Sequence, residues 1–184
     1  MQIIGGKYKK KKLRSPKGKE VRPTSSRLRE TIFNLCQGNV EGADFLDLFA
    51  GSGAIGLEAL SRGAAHVIFI EKSRGVSKII KDNIDALKES ETTQVIIGDA
   101  LHALEKFAKS KKRFDIIFAD PPYGLGLGEE IAKLIDLGDL LKKNGTLYIE
   151  DEESTPDLEP HFVHLVLYDS RKIGRAWLKT YKKR

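Results

Sequence analysis

The residues best suited to chemistry are four acids and a glycine run in the middle of the chain. Gly51, Gly53 and Gly56 close the segment Asp44-Phe-Leu-Asp-Leu-Phe-Ala-Gly-Ser-Gly-Ala-Ile-Gly56 in the literal spacing G-x-G-x-x-G. An apolar run, a glycine turn and a helical pattern, in that order, let backbone N–H groups approach a nucleotide-like ligand at a helix N-terminus. Glu71 follows Gly53 by eighteen residues, near the spacing of an acid that accepts hydrogen bonds from ribose hydroxyls. Asp99 and the tetrad Asp120-Pro121-Pro122-Tyr123 each follow a further apolar run. Any one of these acids could simply cap a helix or face its dipole. Three at successive strand ends, with Asp47 inside the first strand, point to one cofactor crevice.

Such a crevice needs strands that end on those groups. Phe45–Phe49, His66–Ile70, Gln94–Ile97, Phe114–Ala119 and Thr146–Glu150 read as strands, with helices predicted over 54–62, 73–89, 100–109 and 128–142 between them. That alternation predicts βαβ units, hence a parallel sheet with helices on both faces. Residues 162–168 and 175–181 carry strand patterns with no helix between them and predict an antiparallel hairpin at the sheet edge. At the other end, Gln2-Ile-Ile, closed by Gly5-Gly6, is expected to pair with 11–14 as a hairpin. Pro23 keeps Arg22 extended, and the Thr/Ser cluster after it offers caps for a helix over 26–37. Leu28, Thr31, Ile32, Leu35 and Cys36 share that helix's apolar face, leaving Arg29 exposed or aimed toward a site. Residues 1–40 thus read as a basic hairpin-and-helix extension and 41–184 as a core, together effectively one domain.

A nicotinamide enzyme would use the three glycines and Glu71, but it has no use for Asp47 or for Asp120–Tyr123. Asp47-Leu-Phe-Ala-Gly-Ser-Gly53 resembles motif I of the class I S-adenosylmethionine (SAM)-dependent methyltransferases. Asp120-Pro-Pro-Tyr123 resembles the [D/N]-P-P-[Y/F/W] motif of those that modify exocyclic amino groups of nucleobases. The likeness implies a Rossmann-like, mostly parallel seven-stranded α/β sheet with an antiparallel C-terminal edge hairpin. It implies that Asp47, Phe49, Gly51, Gly53, Glu71, Lys72, Asp99, Ala100 and Asp120 surround SAM, with Glu71 on the ribose and Asp99-Ala100 flanking the adenine. It also implies catalytic roles for Asp120, Pro121 and Tyr123. An exocyclic amine is a weak nucleophile because its lone pair is delocalised into the ring. A carboxylate at Asp120 and a carbonyl held rigidly at Pro121 can accept its two N–H bonds and direct the lone pair at the methyl group. Tyr123 offers a face for stacking the base. No metal is required, and His161 and His164 are not read as ligands.

The net charge of +6 is unevenly spread. Positions 7–29 hold eleven Lys/Arg against Glu20 alone, and positions 171–184 hold seven with no acid, so the rest of the chain is acidic. Basic ends interleaved with Tyr8, Leu13, Trp177 and Tyr181 fit a surface for nucleic-acid phosphates better than solvated tails. Ile3-Ile4-Gly5-Gly6-Lys7, Arg22-Pro23-Thr24 and Arg29-Glu-Thr-Ile-Phe-Asn34 ahead of motif I resemble the RsmD-like family, bacterial methyltransferases of the N2 of one guanine in 16S ribosomal RNA. The resemblance implies RNA contacts at Lys7, Lys9, Lys10, Lys11, Lys12 and Arg14, with Arg22, Thr24 and Arg29 lining the mouth of the site. The implied partner is small-subunit rRNA or the assembling 30S particle, ribosomal proteins included. A cytoplasmic monomer is expected, since no apolar run approaches the roughly 18 residues of a membrane span. An amino-methyltransferase of another nucleic acid, such as one acting on adenine N6, and a non-catalytic RNA-binding module are the rival readings.

Overall fold

The computed structural model describes residues 1–16, 26–122, 124–151 and 162–184. Five strands run parallel: β1 (Asp44–Leu48), β2 (His66–Glu71), β3 (Thr93–Ile97), β4 (Phe114–Ala119) and β5 (Leu141–Asp151). Two more, β6 (Leu165–Ile173) and β7 (Ala176–Lys183), form the antiparallel hairpin. The spatial order is β3-β2-β1-β4-β5-β7-β6, so β7 inserts beside β5 and leaves β6 at the edge. β1, β2 and β4 are buried on both faces, which is why they read as continuous apolar runs rather than alternating ones.

Successive side chains of each strand enter two different cores. Phe45, Val67, Phe69, Ile116, Phe118, Tyr148 and Leu178 pack with α1 (Ser26–Leu35), α2 (Ala54–Ser61) and α3 (Arg74–Leu87). Leu46, Leu48, Ile68, Ile117, Leu147 and Ile149 pack with α4 (Ala100–Lys109) and α5 (Leu127–Leu137). Ile3 and Leu13 of the N-terminal hairpin belong to the first core, so extension and sheet share one apolar interior.

The sequence-predicted hairpin is present as a bridge between Gln2 and Lys12, with Ile3 N–H donating to Lys11 O at 3.0 Å and Leu13 N–H to Met1 O at 2.9 Å. It is fastened to α2 by Glu58. That carboxylate, fully buried, accepts from the amides of Ile4 (2.8 Å) and Gly5 (2.7 Å) and from Arg62 Nε (2.9 Å). Gly6 has φ +71°, and a Cβ there would overlap the Ser61 carbonyl, so the turn can lie against α2 only as glycine.

Two expectations are corrected. The helix predicted to reach Lys142 ends at Leu137: Gly138 caps it, Asp139 takes φ +49°, and Leu140 N–H closes back on Ile135 O at 3.1 Å. Leu141 then pairs with Phe114, and Lys142, now a strand residue, bridges Asp44 (2.6 Å) and Asp115 (2.8 Å). Arg29, expected at the mouth of the site, is 2% exposed. Its Nη1 lies 3.6 Å from Glu58 and donates to Gln2 O at 3.0 Å, so it belongs to the hairpin anchor. Among the described residues no helix is long and apolar enough to cross a membrane.

Candidate active site

The carboxyl ends of β1, β2 and β4 lie side by side, where open α/β sheets carry their ligand crevice, and the glycine segment follows directly on β1. Phe49, Gly51 and Gly53 have φ of +58°, +53° and +76°, turning the chain sharply between β1 and α2. Gly51 and Gly53 meet that requirement without steric cost; Phe49 meets it as a non-glycine residue whose half-buried ring packs into the second core. Gly56 has a different role: a Cβ there would overlap the Phe69 ring, so the glycine lets α2 approach the sheet closely.

Asp47 sits beneath this turn, 2% exposed, and its Oδ2 accepts from Gly56 N–H at 2.9 Å. That amide is among the first of α2, which have no partner within the helix, so the strand acid ties the helix N-terminus to the sheet. Burial pushes the Asp47 carboxyl up to about 8, and the neighbouring Asp120 and Glu71 push it the same way. Glu71, at the end of β2, accepts from Gly51 N–H at 2.9 Å and from Ser73 N–H at 2.7 Å, which braces the glycine turn against the next strand. Asp99 caps α4 through Leu101 N–H (3.0 Å) and His102 N–H (3.1 Å), with Ala100 buried behind it. Lys72 is exposed on the rim.

Asp120 follows directly on β4, half-buried, with Pro121 buried and Pro122 exposed after it. Glu71 and Asp120 therefore add negative charge beside the buried Asp47, which holds its proton, where three strands end. A ligand carrying positive charge is the natural occupant, and a left-handed glycine turn beside an acid at ribose spacing suits a nucleoside attached to it. SAM, a nucleoside joined to a sulfonium and an ammonium, has that chemistry; the residues present fit it. No group of three or more candidate metal ligands occurs among the described residues. Tyr123, Arg22 and Thr24 lie outside the described residues, as does His161.

The lysine-rich turn is displaced from this crevice. Lys7 N–H bonds Ser61 O at the far end of α2, and its Nζ pairs with Glu89 (3.0 Å) just beyond α3. Since α2 starts at the glycine turn and runs about 12 Å away from it, Lys7, Lys9 and Lys10 stand exposed toward the amino ends of the strands. The exposed Lys11 and Lys12 instead return beside Ile3 and Gln2 toward Met1, whose Sδ accepts from Ser52 Oγ at 3.9 Å. Arg14, paired with Asp82 at 2.7 Å, is exposed midway along α3. Glu58 and Asp136 were missed as organising residues; Glu58 is conspicuous in sequence as the one charge inside an apolar helix, whereas Asp136 shares its helix with Glu129, Glu130 and Lys133. Asp136 accepts from the amides of Val163 (2.7 Å), His164 (2.7 Å) and Leu165 (2.9 Å), pinning the entry to β6.

Residues 1–182 match the model of the family described as "Conserved hypothetical protein 95". The chain is similar to "Ribosomal RNA small subunit methyltransferase D" of Escherichia coli (strain K12), 40% identical over 152 residues that cover 83% of this chain and 75% of that one. The protein of the same name from Haemophilus influenzae is 36% identical over 161 residues, covering 87% and 83%. The solved structure of yhhF from Escherichia coli overlays with a TM-score of 0.87 at 34% sequence identity, covering 100% of this chain and 98% of that one.

Proposed function

The chain belongs to the conserved hypothetical protein 95 family, and on that footing we propose that it is a SAM-dependent methyltransferase acting on the exocyclic N2 of a guanine in small-subunit ribosomal RNA. The observation that carries the reading is the convergence of Asp47, Glu71 and Asp120 on one crevice, with the Asp120-Pro121 step at its edge. The names of the relatives support the substrate class.

Bound SAM supplies a methyl group activated on a sulfonium. The chain's own residues do the positioning. The Gly51–Gly53 turn lets the backbone approach the methionine portion closely, Glu71 receives the ribose hydroxyls, and Asp99 with Ala100 borders the adenine. Asp120 and the Pro121 carbonyl accept the two N–H bonds of the guanine amine, so its lone pair points along the line of transfer. Pro121 has no N–H to compete, and its buried ring holds the carbonyl in place. Tyr123 stacks on the base, and the proton released from the amine leaves to Asp120 or to water. Arg22 and Thr24 contact RNA at the crevice, and the exposed lysines of the hairpin, with Arg14, contact it farther out along α2 and α3. The substrate is the assembling 30S particle with its proteins, met by a monomer in the cytoplasm.

Incubation with labelled SAM and unmodified small subunits, followed by digestion to nucleosides, is expected to yield N2-methylguanosine. Label found only as N6-methyladenosine would overturn the choice of base. An Asp120→Ala variant is expected to lose transfer while still binding RNA; undiminished transfer by it would overturn the assigned chemistry.

A further inference from the structure

The basic C-terminus divides into cations already committed and cations left over, and the sheet register shows where each kind lies. Lys179 is buried on Asp151 at 2.8 Å, Lys183 is paired with Asp139, and Lys182 lies over the Tyr168 ring. Arg171 is paired with Asp169 at 2.6 Å. Lys172, Arg175 and Arg184 are exposed and make no ion pair among the described residues, and Arg184, whose amide donates to His164 O, stands at the other end of the hairpin.

β7 runs antiparallel to β5, so its first residues stand at β5's carboxyl end: Asp151 pairs with Trp177, and Trp177 in turn with Lys172. The β6–β7 turn, with Gly174 at φ +66° and Arg175 beside it, therefore projects from the same end of the sheet as Asp120. Ala119 pairs with Ile149, Ile149 with Lys179, and Lys179 with Ser170, which sets β7 two strand spacings and β6 three from β4. At ~4.8 Å per spacing that is roughly 10 and 14 Å. Lys7, at the tip of the N-terminal hairpin, by contrast lies at the opposite end of α2.

Resting on the methyltransferase reading above, we infer that the β6–β7 turn is the phosphate-binding wall of the active-site mouth, with Lys172 and Arg175 gripping the backbone of nucleotides that adjoin the target base. The occupant is the substrate RNA. Two exposed cations on a projecting turn complement phosphates, while the acidic crevice beside them excludes phosphates and admits the base. Gly174 allows the tight turn that brings the two cations to the tip. Trp177, the chain's single tryptophan, is half-buried directly across from Lys172 and reports on the contact.

The test uses the full chain and a short fluorescein-labelled single-stranded RNA, with anisotropy followed across salt concentrations. Each phosphate contact to a single strand contributes about 0.7 to the slope of log K against log salt. The Lys172→Ala/Arg175→Ala variant is expected to lower that slope by about 1.4. Affinity should fall roughly 25-fold at 0.1 M salt, with the difference vanishing toward 1 M. KM for unmodified small subunits should rise while kcat and SAM affinity hold. RNA should quench Trp177 emission. A Lys112→Ala/Lys143→Ala variant, the same loss of charge at the amino ends of the strands, is expected to change the slope less. An unchanged slope in the first variant, an equal loss in the second, or no change in Trp177 emission at saturating RNA would overturn the inference. If the wild-type chain transfers no methyl group to small subunits, the functional reading falls, and the salt slopes still decide this one separately.

Discussion

Replacing Glu58 by Ala tests whether the buried carboxylate holds the N-terminal hairpin to the core. Four groups lose their partner at once: the amides of Ile4 and Gly5, Arg62 Nε and the Arg29 guanidinium. The two amides and Arg62 can reach water if the hairpin lifts, because the hairpin is a surface element. Arg29 cannot: it is as buried as Glu58, and its Nε already lacks a hydrogen bond among the described residues. Removing one member of a buried ion pair costs about 3–5 kcal/mol. For a chain of this length that corresponds to a fall in Tm of roughly 6–20 °C. Urea unfolding followed by circular dichroism measures the loss, and limited proteolysis at the hairpin shows whether it opens first. A second arm separates charge from volume. The Glu58→Met/Arg29→Met double variant removes both charges, so it should be more stable than the sum of the two single losses by about 1–3 kcal/mol. A Glu58→Ala loss below about 1 kcal/mol, or strict additivity in the double variant, would refute the reasoning.

Three further outcomes are expected. Because burial raises Asp47 to about 8 from 3.8, the folded chain holds this proton more tightly than the unfolded one. The stability it contributes is complete below pH 3.8 and is lost as pH rises through about 8, so Asp47→Asn should flatten the decline in urea midpoint over that range. Gly56→Ala forces a methyl into the Phe69 ring and should cost about 1–3 kcal/mol even after the gain in helix propensity, read as a lower thermal midpoint. Asp136→Ala removes the acceptor of three amides and should cost about 3 kcal/mol, with amide exchange accelerated first at Val163, His164 and Leu165.

The sheet was legible because its signals are local. Short apolar runs separated by helical stretches predict parallel strands wherever they occur, and the acids that close those runs fall at the strand ends by the same logic. Errors arose where long-range pairing overrode local pattern. Leu137, Leu140 and Leu141 extend the spacing of α5, but the left-handed Asp139 breaks it and Leu141 gains a strand partner in Phe114. Arg29 flanks the stripe formed by Leu28 and Ile32, and an arginine there reads as surface until a buried counter-charge is found. That counter-charge was readable: Glu58 is the one acid in a helix whose every residue is buried. Asp47 gave the clearest signal, since an acid inside a strand flanked by Phe45, Leu46 and Leu48 needs a buried donor; nothing in the sequence named Gly56 as that donor.

The opposed charges of body and ends become a single arrangement once the strand ends are considered together. A phosphate about 10 Å from a carboxylate at an effective dielectric between 20 and 80 is repelled by roughly 0.4–1.7 kcal/mol. Asp47, Glu71 and Asp120 sit at adjacent strand ends, so a phosphate drawn into the crevice would meet whichever of these acids are ionised, while a base edge, carrying N–H donors and no charge, would meet acceptors. Exposed cations must then stand outside the crevice and not within it, and Lys172, Arg175 and the hairpin lysines do. Under the proposed function, the same electrostatics that favour a cationic cofactor sort the substrate, holding the RNA backbone at the rim and letting the base alone enter.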